Sequence, residues 1–173
     1  MAARPRPLSA FAANTNEDRP LPAYLGLTTL YNSLFASLLL VAVRSGRRLP
    51  ERVGMADVLL FGVATFQLSR IITRDKVTSA VRAPFTELED PGADGTLTEA
   101  PRGGGLQHAI GELLTCPFCI SQWIATALMG GLLFAPRVTR IAASVLSIVA
   151  LSDFLQYARE FVRKQAEARC GPA

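Results

Sequence analysis

Four apolar runs, each close to twenty residues long, constrain this chain more than any other feature. They fall at about residues 24–43, 56–73, 115–135 and 138–157. A bilayer's hydrocarbon core is about 30 Å thick, and a helix of about 20 residues crosses it. Within that core every backbone N–H and C=O must find a partner inside its own segment, so runs of this kind adopt helices. The fold class expected is all-α: a small polytopic membrane helical bundle of about four transmembrane helices, with a long loop between the second and third. The second run has a competing reading as a short, partly inserted helix, because Asp57 opens it and Arg70 interrupts it. Composition agrees with a membrane chain. Half of the residues are hydrophobic and 18% are charged, against about 25% charged in a soluble domain.

The same reading divides the chain. Residues 1–22, rich in Pro, Arg and Asn, are expected to be a disordered tail. They lack the apolar core of about 7–15 residues that a signal peptide requires. Residues 23–158 form the membrane helical domain. Inside it, residues 86–105 are acidic and then Gly/Pro-rich, too poor in apolar side chains to fold alone, and are expected to be a mobile loop. Residues 106–114 read as a short helix leading into the third crossing. Residues 159–173 are a charged tail that extends the fourth helix. Pro136-Arg137 makes the third and fourth helices an antiparallel hairpin. Thr126/Gly130, Ala127/Gly131 and Ala143/Ser147 are small-xxx-small pairs of the kind that let membrane helices approach closely.

A net charge of +4 and a pI of about 9.3 point to the lipid bilayer as partner rather than to nucleic acid. The basic residues flank apolar runs, and no basic patch is interleaved with aromatics for base stacking. With four crossings, twelve Lys and Arg fall on the side shared by the termini and the long loop, and six on the other. The positive-inside rule then places both termini in the cytoplasm of a multi-pass cell-membrane protein. The cluster Arg44, Arg47, Arg48 and Arg52 runs against that asymmetry.

Four crossings also bring the end of helix two, the start of helix three and the end of helix four to one membrane face. Arg70, Asp75, Arg82, Glu112 and Asp153 form a candidate polar cluster there. Charged groups inside a membrane segment are costly and tend to pair within the bundle, so Arg70 is expected to pair with Glu112 first or Asp153 second. The competing reading is that Arg70 snorkels to the headgroups.

The third crossing opens on Glu112-Leu-Leu-Thr-Cys-Pro-Phe-Cys-Ile-Ser-Gln-Trp123. Proline is favoured at the first helical position. A helix starting at Pro117 makes Cys116 its N-cap and puts Cys119 one turn in. The helix dipole there favours a thiolate, so Cys116 and Cys119 are a candidate redox pair. If the helix instead starts earlier and kinks at Pro117, Glu112, Cys116, Cys119 and Trp123 form one stripe. Cys-Pro-Phe-Cys looks like the active-site tetrapeptide of glutaredoxin-type enzymes, without the surrounding pattern of strands and helices. For a metal, Cys116, Cys119 and His108 are the candidate ligands. A structural zinc site usually needs four, so a dimer sharing two pairs is the better arrangement. Packing is the third role open to the thiols. No cofactor motif is present: Gly103-Gly-Gly105 lacks the Lys and strand context of a phosphate loop.

Three strings in order resemble the bacterial membrane family catalogued as domain of unknown function 1360, some members of which are known as sporulation proteins. They are Ser69-Arg-Ile-Ile-Thr-Arg-Asp-Lys-Val-Thr, Arg82-Ala-Pro-Phe and Glu112-Leu-Leu-Thr-Cys-Pro-Phe-Cys through Trp123. The resemblance covers about residues 56–157 and implies a small multi-spanning membrane protein without an assigned activity. It marks Arg70, Thr73, Asp75, Arg82, Pro84, Phe85, Glu112, Cys116, Pro117, Cys119 and Trp123 as signature positions.

Three functions fit these observations. The first is a non-enzymatic structural or interaction protein of the cell envelope, with a second copy or another membrane protein as partner. The second is a membrane thiol–disulfide oxidoreductase using Cys116 and Cys119. The third is a small transporter or metal-handling protein.

Overall fold

The computed structural model describes residues 20–46, 51–90 and 96–170. Its helices are α1 (Leu21–Arg44), α2 (Met55–Arg74), α3 (Ser79–Arg82), α4 (Gly105–Thr115), α5 (Pro117–Phe134) and α6 (Pro136–Cys170). A short 3-10 turn, Lys76–Thr78, precedes α3. Strands β1 (Thr86–Asp90) and β2 (Thr98–Pro101) pair antiparallel. Helices α1, α2, α5 and α6 are each long and apolar enough to cross a membrane. The all-α membrane bundle expected from the runs is the architecture found, including the second crossing despite Arg70.

Local chemistry sets the helix ends. Pro22 sits in the first turn of α1, where its missing N–H leaves no hydrogen bond unmade. Gly46, at φ +68°, turns the chain after α1 in a conformation that a Cβ disfavours. Pro117 opens α5, so the helix starts there and does not run through from upstream. Ala135 alone separates α5 from α6, which makes the tight antiparallel hairpin. The charged tail continues α6 through Cys170. At 1.5 Å per residue this 35-residue helix is about 52 Å long, so its charged end projects beyond a 30 Å hydrocarbon core.

Helix α2 is the hub. Its Phe61 and Ala64 pack on Ala143 of α6, with Leu60, Leu128, Met129, Leu132 and Leu146 around them. Ala143 is fully buried, and the Ser147 hydroxyl donates to the Leu60 carbonyl at 3.0 Å. The small pair Ala143/Ser147 therefore faces α2. On α5 the two glycines divide. A Cβ on Gly131 would lie 2.6 Å from Thr139 Oγ1 of α6, whereas one on Gly130 would meet only the end of the Leu38 side chain of α1, at 3.0 Å. Helix α1 is peripheral, with Ala42 its one buried residue among those described.

The segment 86–105 differs from expectation. It carries the ribbon, in register Thr86↔Pro101, Glu87↔Ala100 and Leu88↔Glu99 with an irregularity before Asp90↔Thr98. Low apolar content predicts no regular structure, but the ribbon is anchored by buried polar contacts instead. Residues 91–95 at its turn lie outside the described residues. So do residues 1–19 of the expected N-terminal tail, while residues 21 and 22 already belong to α1.

Candidate functional site

The sequence-derived residues separate into three groups. The first centres on Arg82, whose side chain is fully buried. Its Nε donates to Glu99 Oε2 at 2.8 Å and its Nη2 to Glu99 Oε1 at 3.1 Å. Its remaining N–H groups reach the Ile72 carbonyl at 2.5 Å, Thr78 Oγ1 at 2.6 Å and the Asp75 carbonyl at 3.1 Å. One guanidinium thus ties the end of α2, the 3-10 turn and β2 together, as the planar fork of arginine permits. Burial pushes the Glu99 carboxyl upward, but hydrogen bonds from Arg82, Thr86 and Ser79 outweigh it and hold the group below its ordinary value. The ribbon then lies on α4, where a Cβ on Gly111 would come within 2.5 Å of the Phe85 carbonyl. Only glycine allows that approach. Leu97 N–H to Arg74 O and Gln107 Nε2 to Pro84 O complete the attachment.

The second group clamps α2 to α6. Arg70 Nη2 donates to Asp153 Oδ2 at 2.6 Å, and Gln67 Nε2 donates to the same oxygen at 2.9 Å. Asp75 Oδ1 lies 3.9 Å from Arg70 Nη1. Arg70 therefore pairs with Asp153, the second of its two expected partners; Glu112 faces another helix. A matching pair stands at the other end of the same seam, with Arg140 donating two hydrogen bonds to Asp57 at 2.8 and 2.9 Å. Both carboxylate–guanidinium pairs are thirteen residues apart along each helix, about 20 Å. Sequence reasoning counted Arg140, at the start of the fourth run, only as a basic residue of the opposite membrane side, and gave neither it nor Asp57 a partner. Opposite charges at equal spacing on the second and fourth crossings, which run parallel, are the signal that could have found the pair.

The third group lines a cavity of about 630 Å³ between α1 and the α4–α5 junction. The Tyr24 hydroxyl of α1 donates to Glu112 Oε2, and His108 Nε2 lies 3.6 Å from Glu112 Oε1. Cys116 is the N-cap of α5: its Sγ accepts from the Cys119 backbone N–H at 3.2 Å. Both thiols are free and face the cavity, Cys119 being the more exposed. Deeper in, Trp123 meets Tyr31 of α1 edge-on, with ring centres 5.2 Å apart. Tyr24 and Tyr31 were absent from the sequence-derived set, since nothing in the first run distinguishes them from interfacial aromatics. Among the described residues, no three His, Cys, Asp or Glu side chains gather as a metal-holding group. His108 turns to Glu112.

Arg70, Asp75, Arg82, Glu112 and Asp153 are thus divided among a cap, a clamp and a cavity. The cap and clamp lie in the part of the chain with known relatives. The chain is similar to sporulation protein YjcA of Bacillus subtilis (strain 168), 28% identical over 102 residues that cover 57% of this chain and 86% of that protein. It is also similar to UPF0713 protein YngL of the same organism, 24% identical over 111 residues covering 62% of this chain and 82% of that one. No solved structure matches. The family described as protein of unknown function (DUF1360) matches residues 60–159, from the first turns of α2 into α6 and excluding α1. With more than half of its length matched, and with the Arg70 and Arg82 networks inside that span, this chain belongs to the DUF1360 family.

Proposed function

We propose that this protein is a non-enzymatic interaction protein of the cell membrane, with both termini in the cytoplasm. Its role is to present the ribbon and α4 as a rigid cap at one membrane face. The observation that carries this reading is the Arg82 network. A fully buried guanidinium spends its hydrogen bonds on three chain segments and one buried carboxylate, which is the chemistry of a fixed surface. The Arg70–Asp153 clamp beside it has the same character. Leu88, Val81 and Val77 are exposed on the cap and supply apolar contact for a membrane-protein partner or a second copy. The similarity to a protein named for sporulation makes an envelope process of that kind the natural setting. Arg4, Arg6, Arg19, the loop basics and those of the α6 end support the cytoplasmic placement.

The test is affinity purification from native membranes in mild detergent. A defined partner set should survive the Cys116→Ser/Cys119→Ser double change and be lost in Arg82→Ala. Loss of that set in the double-serine protein, with Arg82→Ala retaining it, contradicts the reading. Reporter fusions at the C-terminus and between α1 and α2 should give opposite signals; matching signals contradict the placement.

Thiol–disulfide exchange is the second reading. It is favoured by the fact that Cys116 and Cys119, one helical turn apart, line the same cavity. Mild oxidation should then shift both thiols together out of reach of an alkylating reagent. Protection of neither excludes it.

A further inference from the structure

The α1–α5 seam contains a second cavity that continues the first. It measures about 360 Å³, is lined by Leu34, Phe35, Leu38, Ala127, Gly130 and Gly131, and is almost entirely apolar. Tyr31 and Trp123 border both cavities, so the pair forms a waist in one continuous groove. Gly131 is fifteen residues beyond Cys116, about 22 Å along the helix. The groove therefore runs from the membrane face across more than half of a 30 Å core. Both volumes fall in the range of about 300–1,000 Å³ typical of small-molecule sites.

The chemistry changes sign along it. The wide end carries Thr28, Asn32, Glu112, Thr115 and Gln122. Among the described residues no Lys or Arg lines it, and its one carboxylate is engaged by Tyr24 and His108. A phosphate headgroup would meet Glu112 with no Lys or Arg among the described lining residues to offset it. The side-chain amide of Gln122, an exposed residue in the second turn of α5, lines this end and has no hydrogen-bond partner among the described residues. The Gln122 amide and the Thr28 hydroxyl can both donate and accept, which suits an uncharged partner that does the same.

We propose that this groove binds a neutral lipid with a hydroxyl headgroup, of the diacylglycerol class. The hydroxyl sits against Gln122 and Asn32, and one acyl chain passes the Tyr31–Trp123 waist and lies along Ala127, Gly130 and Gly131. Helix α1, one wall of the groove, falls outside the family match. The site is thus a property of this chain and does not depend on the interaction reading.

The test uses the full chain in phosphatidylcholine nanodiscs with a diacylglycerol carrying a diazirine in one acyl chain and an alkyne handle. Labelling should saturate and map to α1 and α5. Unlabelled diolein should compete, and dioleoylphosphatidic acid, with the same chains and an anionic head, should not. Ala127 is exposed to the groove, so Ala127→Phe fills the chain path and should lower saturable labelling roughly tenfold. Gln122→Leu should weaken competition by diolein with the detergent melting temperature unchanged. If Ala127→Phe fails to fold, Gln122→Leu decides alone. Unsaturable labelling, spread over all four crossings, means ordinary bilayer contact and overturns the proposal. So does equal competition by phosphatidic acid, or labelling of Gln122→Leu identical to the parent chain.

Discussion

The two seams of this bundle are built from the same apolar alphabet and behave differently. Along α2–α6, ion pairs stand at both ends, Asp57–Arg140 and Arg70–Asp153, with Ala64, Ala143 and Ser147 in close contact between them. Along α1–α5, the contacts are Tyr24–Glu112, Tyr31–Thr126, Tyr31–Trp123 and Leu38 over Gly130, and cavities lie between them. Apolar side chains do not choose partners in lipid, because lipid tails are as apolar as leucine. What fixes one helix against another is small-residue contact and polar pairing. The α2–α6 seam has both along its length; the α1–α5 seam has them at points.

That contrast is open to attack, beginning with the cap that the clamped side carries. Arg82→Ala should have the largest effect, about 3–5 kcal/mol, because it strands the buried Glu99 carboxylate. Thermal or denaturant unfolding in detergent reads it. The pH dependence should reverse as well. In the parent chain Glu99 titrates below its ordinary value, so its contribution is present above about pH 4.3 and is lost as pH falls through the lowered value. In Arg82→Ala the lone buried carboxylate favours its protonated form, and stability should rise as pH falls from 7 toward 5.

Next comes the pair of glycines. Gly131→Ala drives a methyl to 2.6 Å from Thr139 Oγ1 at the α5–α6 hairpin and should cost about 1–3 kcal/mol. Gly130→Ala meets only the flexible end of Leu38, at 3.0 Å, and should cost less than half as much. Equal losses from the two changes would mean that α1 packs on α5 as closely as α6 does.

Smaller still is the clamp. A double-mutant cycle of Arg70→Ala and Asp153→Ala should show coupling of about 1 kcal/mol, the upper end for partly exposed pairs. Arg70 with Glu112 should be additive. Coupling of Asp57 with the more exposed Arg140 should be weaker still, because solvent screens it. The least effect is expected at the α5 start. Cys116→Ser replaces a sulfur N-cap by a better one and should change stability by a few tenths of a kcal/mol at most, whereas Cys116→Ala should cost about 0.5–1 kcal/mol.

How much of this the chain disclosed follows physical lines. The four crossings are legible because length and hydropathy alone decide them. The α5 start is legible because Pro117 and Cys116 act locally, through one turn of backbone. The partner of Arg70 is only half legible. A shared membrane level limits it to Glu112 or Asp153, but level says nothing about direction around the helix axis, and α4 turns Glu112 toward Tyr24 of α1. The ribbon is illegible. It is held by one arginine's polar contacts with segments ten residues upstream and seventeen downstream, and composition carries no trace of such a network. Arg82 belongs to that network and not, as a shared level predicts, to the cluster around Arg70. The cavity needed α1 placed beside α5, which periodicity does not specify.

The central claim is that α2–α6 is locked and α1–α5 is not. It is tested most directly by electron spin–spin distances in nanodiscs, on a chain carrying label cysteines at chosen sites in place of its own three. Labels at Val58 and Ile141, both exposed near the Asp57–Arg140 end, should give one narrow distance distribution. Labels at Leu34 and Ala127, which line the groove, should give a broad one, as few buried contacts hold α1. A narrow α1–α5 distribution beside a broad α2–α6 distribution would contradict the account.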